Sequence, residues 1–390
     1  MSENPRGGRA RRPLDGYRVL DFSRNVAGPL AGQILADLGA EVIKVEPPRG
    51  EAARHIVDTT SSEGLAPYFL PYNRGKRSLV ADLHTPEGVE QILSLVQTTD
   101  VFLDGFRPGT MEKWGLGREA IRAINPKCVY ASLSAYGGNG DNGQRPGVDL
   151  LVQAESGVLT GLRTDAGVPL RIPFTFIDSA TGHVLAQAIL AALLHRARHD
   201  EVTDVRVAMY DVAASMQANE LTSIVNAPPA SSKTASGGAE MTVAKSPGGI
   251  YPASDGFIVF AAYIPKHWQQ FVRTLGIEHL AADPRFADQV SRGVNDAHLR
   301  RELEAVFAAH SASELVELLR AAGLMAGEVK SREQATNSDL FAENELTVTV
   351  TDGKRVETTI RTPARYSAFS PAAQAPTPTL GEYLPNSGPV

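Results

Sequence analysis

The chain has 390 residues, with 38 lysines and arginines against 44 aspartates and glutamates, and a formal net charge of −6. This length exceeds what one hydrophobic core usually supports, so we expect two domains or one large domain with an insertion. The mild acidity argues against nucleic acid or an anionic membrane as the main partner. Cys128 is the single cysteine, which excludes an intrachain disulfide and a thiolate metal cluster and favours a reducing, cytoplasmic location.

The N-terminal segment is rich in arginine and has no apolar core, so it lacks the pattern of a signal peptide. We interpret residues 1–13 as a disordered arm. The longest apolar run, residues 184–194, is too short to cross a bilayer. The sequence therefore predicts no membrane segment.

Strand and helix patterns alternate along the first 225 residues. The predicted strands are 17–22, 41–45, 79–82, 101–104, 129–132 and 205–209, and the predicted helices are 29–38, 86–96, 180–198 and 211–225. Thr85 and Pro86 have the residue types of an N-cap and a first helical position. This alternation predicts the α/β class, with a mainly parallel sheet between two layers of helices and ligands at the carboxyl ends of the strands.

The composition changes after residue 225. Residues 226–240 are poor in large apolar side chains and predict a linker. Beyond the linker, the sequence predicts a smaller α/β domain at 241–330, with a strand at 257–261 and helices near 266–275, 296–309 and 313–322. The final part, 331–390, contains a predicted hairpin at 346–360 and, from Pro371, a tail that we expect to run over the surface.

Asp178 directly precedes the apolar helix predicted at 180–198 and is the main candidate catalytic residue. The first-turn amides and the helix dipole are expected to keep a carboxylate at this position ionised, which makes it a candidate nucleophile. Aspartate is also among the commonest N-cap residues, so a purely structural capping role is the alternative.

Other local patterns bear on phosphate and metal binding. The segment from Gly28 to Gly32 lacks the G-x-G-x-x-G pattern of a dinucleotide site, and Arg77 stands where a phosphate loop needs serine or threonine. The nine histidines are scattered without ligand spacing, so no metal site is expected. Several basic residues near predicted strand ends and loops together suit a ligand with several phosphates. They are Arg74, Lys76, Arg77, Arg107 and Lys113.

Six segments, spread over nearly the whole chain, carry a family pattern. They are Leu20-Asp21-Phe22 with Ala27-Gly28-Pro29, the run from Gly39 to Glu46, the run from Asn73 to Ser78, Phe106-Arg107-Pro108-Gly109, Asn125-Pro126, and the Asp178 segment. In this order they resemble the class III coenzyme A-transferases, which include formyl-CoA transferase, carnitine CoA-transferases and alpha-methylacyl-CoA racemase. The resemblance does not select a substrate.

The resemblance implies a Rossmann-like CoA-binding domain built from both chain ends, 14–225 and 331–390, with the smaller domain inserted between them. It implies an interlocked homodimer without a permanently bound cofactor, acting on an acyl-CoA and a small carboxylic acid. It implies that Asp178 is the nucleophile. The implied coenzyme contacts are Arg24, Val26, Ala27, Ala81, His84, Gly105, Phe106, Arg107 and Lys113.

Two positions depart from patterns within that family. Val26 stands where formyl-CoA transferase has a glutamine facing the thioester, which argues against oxalate and formyl-CoA as substrates. Val148 replaces the histidine of the racemase G-H-D motif. The main hypothesis is CoA transfer through an aspartyl-CoA thioester on Asp178, with backbone amides, such as those of the α-helix start or of Gly137-Gly138, stabilising the oxyanion. A racemase or epimerase with Asp149 as the second acid, and a CoA-binding protein without turnover, remain alternatives.

Overall fold

The computed structural model describes residues 11–56, 66–137, 140–164, 166–227, 246–371 and 375–384. The chain divides into two compact units, Met1–Leu221 with Glu345–Val390, and Thr222–Asn344. The sequence places the inserted domain at 241–330, so the boundaries of the smaller unit lie further out on both sides. The predicted linker lies outside the described residues from 228 onwards, as do residues 1–10 of the predicted arm. Arg12 is ordered, because its backbone N–H donates to Asp15 Oδ2 at 2.7 Å.

The larger unit is built on a six-stranded parallel sheet in the order β3-β2-β1-β4-β5-β6. Its strands are Arg18–Asp21 (β1), Glu41–Glu46 (β2), Arg77–Val80 (β3), Val101–Asp104 (β4), Val129–Ser134 (β5) and Val205–Ala208 (β6). This arrangement confirms the predicted α/β class and parallel sheet. The strand order reverses between β1 and β4, which is where doubly wound sheets open a crevice for ligands.

Nine α-helices accompany this sheet in the described residues. They are Ala27–Asp37 (α1), Leu70–Asn73 (α2), Pro86–Val96 (α3), Thr110–Lys113 (α4), Arg118–Ile124 (α5), Asp149–Glu155 (α6), Phe176–His199 (α7), Met209–Met216 (α8) and Ala218–Val225 (α9). The N-cap predicted for α3 is confirmed, since Thr85 Oγ1 accepts from the Gly88 N–H at 3.2 Å. The helix predicted at 211–225 is divided at Gln217, whose Nε2 donates to the Ser156 carbonyl at 2.9 Å.

Helices α1 and α7 pack closely together on one face of the sheet. A side chain at Gly182 would place its Cβ 2.8 Å from the carbonyl oxygen of Ala27, so glycine allows the two backbones to approach. Leu185 and Ile189 of α7 lie in one apolar core with residues of β1, β2 and β4. By length and composition α7 would suffice to cross a membrane. Its inward face is instead part of this core.

The C-terminal segment covers the edge of the sheet at β3. Strands Thr347–Thr351 (β10) and Val356–Ile360 (β11) form the predicted antiparallel hairpin. The expectation that the tail runs loosely over the surface is wrong for residues 375–384. Tyr383 is buried, its N–H donates to the Ser78 carbonyl at 2.8 Å, and the Arg77 guanidinium lies 4.3 Å from its ring centre.

The smaller unit has a three-stranded antiparallel sheet, Gly248–Pro252 (β7), Phe257–Ala261 (β8) and Met325–Glu328 (β9). Its helices are Pro265–Thr274 (α10), Glu278–Ala282 (α11), Gln289–Val294 (α12), Asp296–Phe307 (α13), Ala312–Ala321 (α14), Arg332–Thr336 (α15) and Asp339–Glu343 (α16). Phe260 stacks on Phe271 at 4.7 Å, and Phe307 meets both rings edge-on. This aromatic cluster gives the unit a core of its own.

Candidate active site

Asp178 lies in the first turn of α7. Its backbone N–H donates to Asp149 Oδ2 at 3.0 Å, whereas the N-cap residue of the helix is Thr175. The hypothesis that Asp178 only caps the helix is therefore wrong. The carboxylate is left available for another role.

The surroundings of Asp178 raise its pKa to about 7, mainly because the group is buried and secondly because Asp149 carries a like charge. The prediction that the helix start keeps this carboxylate fully ionised at neutral pH is thus wrong. A local argument from the helix terminus did not include the carboxylate of α6. Near pH 7, Asp178 is divided between a protonated and a nucleophilic form.

Asp149 is itself held in place by a short relay of hydrogen bonds. It is buried at the start of α6, and its Oδ1 accepts from Gln153 Nε2. Gln153 Oε1 in turn accepts from the Ile172 N–H at 3.1 Å. The second carboxylate is therefore fixed against the segment that leads into α7.

Tyr72 is a site residue that the sequence interpretation missed. Its hydroxyl is hydrogen bonded to the side chains of Thr175 and Ser179, which flank Asp178. Burial, and secondly the Asp178 charge among the charges nearby, raises the pKa of Tyr72, so the hydroxyl stays protonated at neutral pH. Only a long-range contact from α2 brings this side chain to α7, and no local pattern indicates it.

A pocket of about 140 Å³ lies at the carboxyl ends of β1, β2, β3 and β4. Four of the predicted coenzyme contacts line it: Arg24, Ala81, His84 and Phe106. The Arg24 guanidinium lies 4.3 Å from the Phe106 ring centre, and Trp114 meets both His84 and Phe106 edge-on. Trp114 was not predicted, although it directly follows Lys113 in the sequence. The pocket thus combines aromatic faces with a cation.

Three further predicted contacts shape the loops beside this pocket. Val26 and Ala27 are buried at the start of α1, and neither lines the pocket. A Cβ at Gly105 would lie 3.0 Å from Ser23 Cα, so glycine lets the loops after β4 and β1 meet. The Ala27 carbonyl also contacts α7 at Gly182, one turn beyond Asp178. The α1 start therefore connects the pocket wall to the helix that carries the candidate nucleophile.

The predicted basic cluster does not form. Arg74 pairs with Asp37 at 2.6 Å and Lys76 with Asp21 at 2.8 Å, and all four side chains are buried. Arg77 pairs with Glu41 at 3.1 Å. These three cations are occupied within the fold, and the prediction that they bind phosphates is wrong.

Arg107 and Lys113 are both exposed, and no ion pair of either occurs in the part of the chain that the structure describes. Neither side chain lines the 140 Å³ pocket, although Phe106 and Trp114, their sequence neighbours, do. They remain predicted phosphate contacts at its rim.

The glycine loop after β5 does not serve the predicted oxyanion role in the part that is described. The Gly137 N–H donates to Ser134 Oγ at 3.1 Å, and Gly138 lies outside the described residues. Gly137 lines a separate cavity of about 470 Å³ that Asp149 and Asp178 do not border. Among the described residues, no group of three or more histidine, cysteine or acidic side chains has the geometry of a metal site.

Comparison with known proteins places these features in a family. The model for CoA-transferase family III matches residues 14–383. The chain is 51% identical over 384 residues to the probable fatty acyl-CoA transferase Rv3272 of Mycobacterium tuberculosis, covering 95% of this chain and 96% of that protein. The chain belongs to CoA-transferase family III.

Other members agree with this assignment in sequence and in structure. The family III enzyme succinate–glutarate CoA-transferase of Agrobacterium fabrum is 32% identical over 95% of this chain and 94% of its own length. A crystal structure of Rv3272 superposes with a TM-score of 0.85 at 51% identity, over 95% of this chain and 97% of that one. A CAIB/BAIF family protein from Brucella suis gives a TM-score of 0.81 at 31% identity, over 95% and 97%. The α/β fold and the class of enzyme are thereby confirmed.

Proposed function

We propose that this family III CoA-transferase moves coenzyme A from an acyl-CoA to a free carboxylic acid through an aspartyl-CoA thioester on Asp178. The observation that carries the proposal is the state of the Asp178 carboxylate. It is buried in the first turn of α7, and no hydrogen-bond donor in the described structure acts on its pKa. A carboxylate without donors keeps its lone pairs available for attack on a carbonyl carbon.

The proposed reaction has four steps and needs no external base. The Asp178 carboxylate attacks the thioester carbonyl, which forms a mixed anhydride and releases the CoA thiolate. The thiolate attacks the Asp178 carbonyl, which releases the donor acid and forms the aspartyl-CoA thioester. The acceptor carboxylate then attacks that thioester, and the thiolate released collects the acceptor acyl group and regenerates Asp178.

The aromatic pocket beside β1 and β4 is the proposed coenzyme site. Its Phe106 and Trp114 rings and the Arg24 guanidinium offer stacking surfaces for a purine base. Arg107 and Lys113 at the rim supply exposed cations for phosphates. With the α1 start joining this pocket to α7, a bound coenzyme can direct its thiol arm toward Asp178.

Two wider properties belong to the same proposal. We expect an interlocked homodimer, with the larger unit taken as a domain completed by both chain ends, working in the cytoplasm without nucleic acid or membrane as a partner. Relatives are named for fatty acyl-CoA, glutarate or mesaconate transfer, so the shared chemistry is an acyl-CoA donor and a carboxylate acceptor.

Trapping the intermediate tests the mechanism. Protein mixed with a panel of acyl-CoAs and treated with hydroxylamine or borohydride is expected to be modified at Asp178, as read by peptide mass spectrometry. Asp178→Ala is expected to lose transfer about a thousandfold or more, as removal of a nucleophile does in other covalent mechanisms, while CoA binding is retained. Transfer at the normal rate in Asp178→Ala would contradict the proposal.

A racemase or epimerase is the second candidate, because Asp178 and Asp149 form an adjacent pair and a pKa of about 7 suits proton transfer. Val148, at the position of the racemase histidine, is 59% exposed and supplies no base. This reaction predicts deuterium uptake at the acyl alpha carbon from heavy water, with no acceptor acid and no covalent adduct. Rapid exchange with an unmodified Asp178 peptide would favour it over transfer.

A further inference from the structure

The hydrogen bonds at the start of α7 are distributed in an unusual way. A threonine N-cap normally accepts from the backbone N–H of the second or third helical residue. Thr175 makes no such bond, and the Asp178 N–H, the third in the helix, donates to Asp149 instead. The Thr175 hydroxyl is engaged by Tyr72.

We propose that Tyr72 is a positioning residue for Asp178, because its hydroxyl holds the Thr175 hydroxyl out of the N-cap arrangement and leaves the Asp178 amide to Asp149. The inference rests on the proposed nucleophilic role of Asp178 and adds the device that sets its protonation. Thr175 and Asp149 compete for one amide proton. Tyr72 decides the competition by occupying Thr175.

The position of Tyr72 is fixed by its buried neighbour in α2. Asn73 is fully buried, its Nδ2 donates to the Phe69 carbonyl at 2.8 Å, and its Oδ1 accepts from Lys76 Nζ at 3.0 Å. The short helix is thereby tied to the core of the larger unit. The Tyr72 hydroxyl reaches α7 from an anchored backbone.

The electrostatic consequence follows from the few groups that face Asp178. Asp149 of α6 is the charged group that acts on its carboxylate, Tyr72 of α2 is the titratable hydroxyl nearby, and no lysine, arginine or histidine of the described chain acts on its pKa. Without the amide bond, Asp149 is free to turn away from α7. The like charge beside Asp178 is then reduced, and its pKa falls.

The test is a titration of Asp178 that needs no turnover. CoA-free protein is labelled with a carbodiimide and an amine between pH 5 and 9, and the Asp178 peptide is quantified by mass spectrometry. In Tyr72→Phe the labelling midpoint is expected to fall by about one pH unit, because the neighbouring charge is relaxed. The double variant Tyr72→Phe with Thr175→Val removes the competing hydroxyl, so the wild-type midpoint is expected to return.

Each outcome separates this inference from simpler explanations. Tyr366→Phe, at a tyrosine that stacks on Phe369 away from α7, is the matched control and keeps the wild-type midpoint. An unchanged midpoint in Tyr72→Phe, or a shift that persists in the double variant, would overturn the positioning role. Urea unfolding confirms that each variant is folded. Failure of the proposed function shows separately, as absence of the aspartyl-CoA adduct in wild-type protein.

Discussion

At the scale of single residues, burial decides the chemistry of this site. Asp178 sits where a helix terminus favours the charged form, yet desolvation and the Asp149 charge raise its pKa to about 7. Its ionised form is the nucleophile, and that form costs folding free energy. Reactivity and stability therefore respond to pH in opposite directions.

Replacing the Asp178 carboxyl with an amide tests this cost. A carboxyl whose pKa is raised on folding stabilises the folded state fully below its unfolded pKa, near 4, and this contribution is lost as pH rises to about 7. Asp178→Asn is therefore expected to be more stable than the wild type by roughly 2 to 4 kcal/mol at pH 8, with little difference at pH 4. Urea unfolding at the two pH values measures the effect, and an equal difference at both would refute the assignment.

Removal of the Arg107 charge tests the rim of the coenzyme pocket. Arg107→Ala is expected to weaken CoA binding, and the wild-type affinity is expected to fall as salt rises, because exposed charges are screened over about 8 Å at physiological ionic strength. Arg301→Ala, at another exposed arginine on α13 in the smaller unit, is the control. Calorimetric titration reads both, and an unchanged affinity in Arg107→Ala would place the phosphates elsewhere.

At the scale of secondary-structure elements, the contact of α1 with α7 ties the coenzyme pocket to the nucleophile. The two helices meet where Gly182 faces Ala27 and Leu30. No larger residue fits between them without moving a backbone. The position of Asp178, one turn earlier, depends on this contact.

Gly182→Ala is expected to destabilise the protein and slow CoA transfer. The added Cβ would lie 2.8 Å from both the Ala27 carbonyl and Leu30 Cβ, and overpacking of this kind costs about 1 to 3 kcal/mol. Helix propensity alone favours alanine by about 1 kcal/mol, so a net loss identifies the contact as its cause. Gly140→Ala, where a Cβ meets nothing within 4 Å, is the control. A stabilised, fully active Gly182→Ala would contradict this prediction.

Sequence patterns predict the elements better than the contacts between them. The bounds of α3 and β4 are confirmed as predicted, because Thr85, Pro86 and a compact apolar run are local signals. The role expected for Lys76 is wrong, because the pairing of β3 with β2 turns its side chain toward Asp21. Tyr72 and Asp149 reach Asp178 from other segments. Such partners depend on tertiary packing, which a single sequence does not encode locally.

At the scale of the whole molecule, the larger unit presents apolar side chains that one chain leaves uncovered. The exposed ones near the start of α7 and along α6 are Leu150, Leu151, Leu162, Leu170 and Phe174. Monomeric proteins rarely expose such groups together. They support the proposed homodimer as the functional unit.

We expect the protein to sediment as a species of twice the 41.6 kDa chain mass and not to dissociate on dilution. Chains that thread through one another separate only by unfolding, so dilution to nanomolar concentration leaves the dimer intact. Analytical ultracentrifugation with a fluorescent label measures this. A fully active monomer at that concentration would rule out the interlocked arrangement.

The covering of β3 by the C-terminal segment has a consequence for biosynthesis. Strand β3 lies at the edge of the sheet, and Ser78 Oγ accepts from the Gly381 N–H, 303 residues later in the chain. At bacterial or eukaryotic translation speeds of about 5–20 residues per second, the ribosome needs roughly 15 to 60 seconds to reach the covering segment. During that interval the nascent chain carries an open strand edge, which is a template for aggregation. Protection by chaperones is therefore needed most before the last residues emerge.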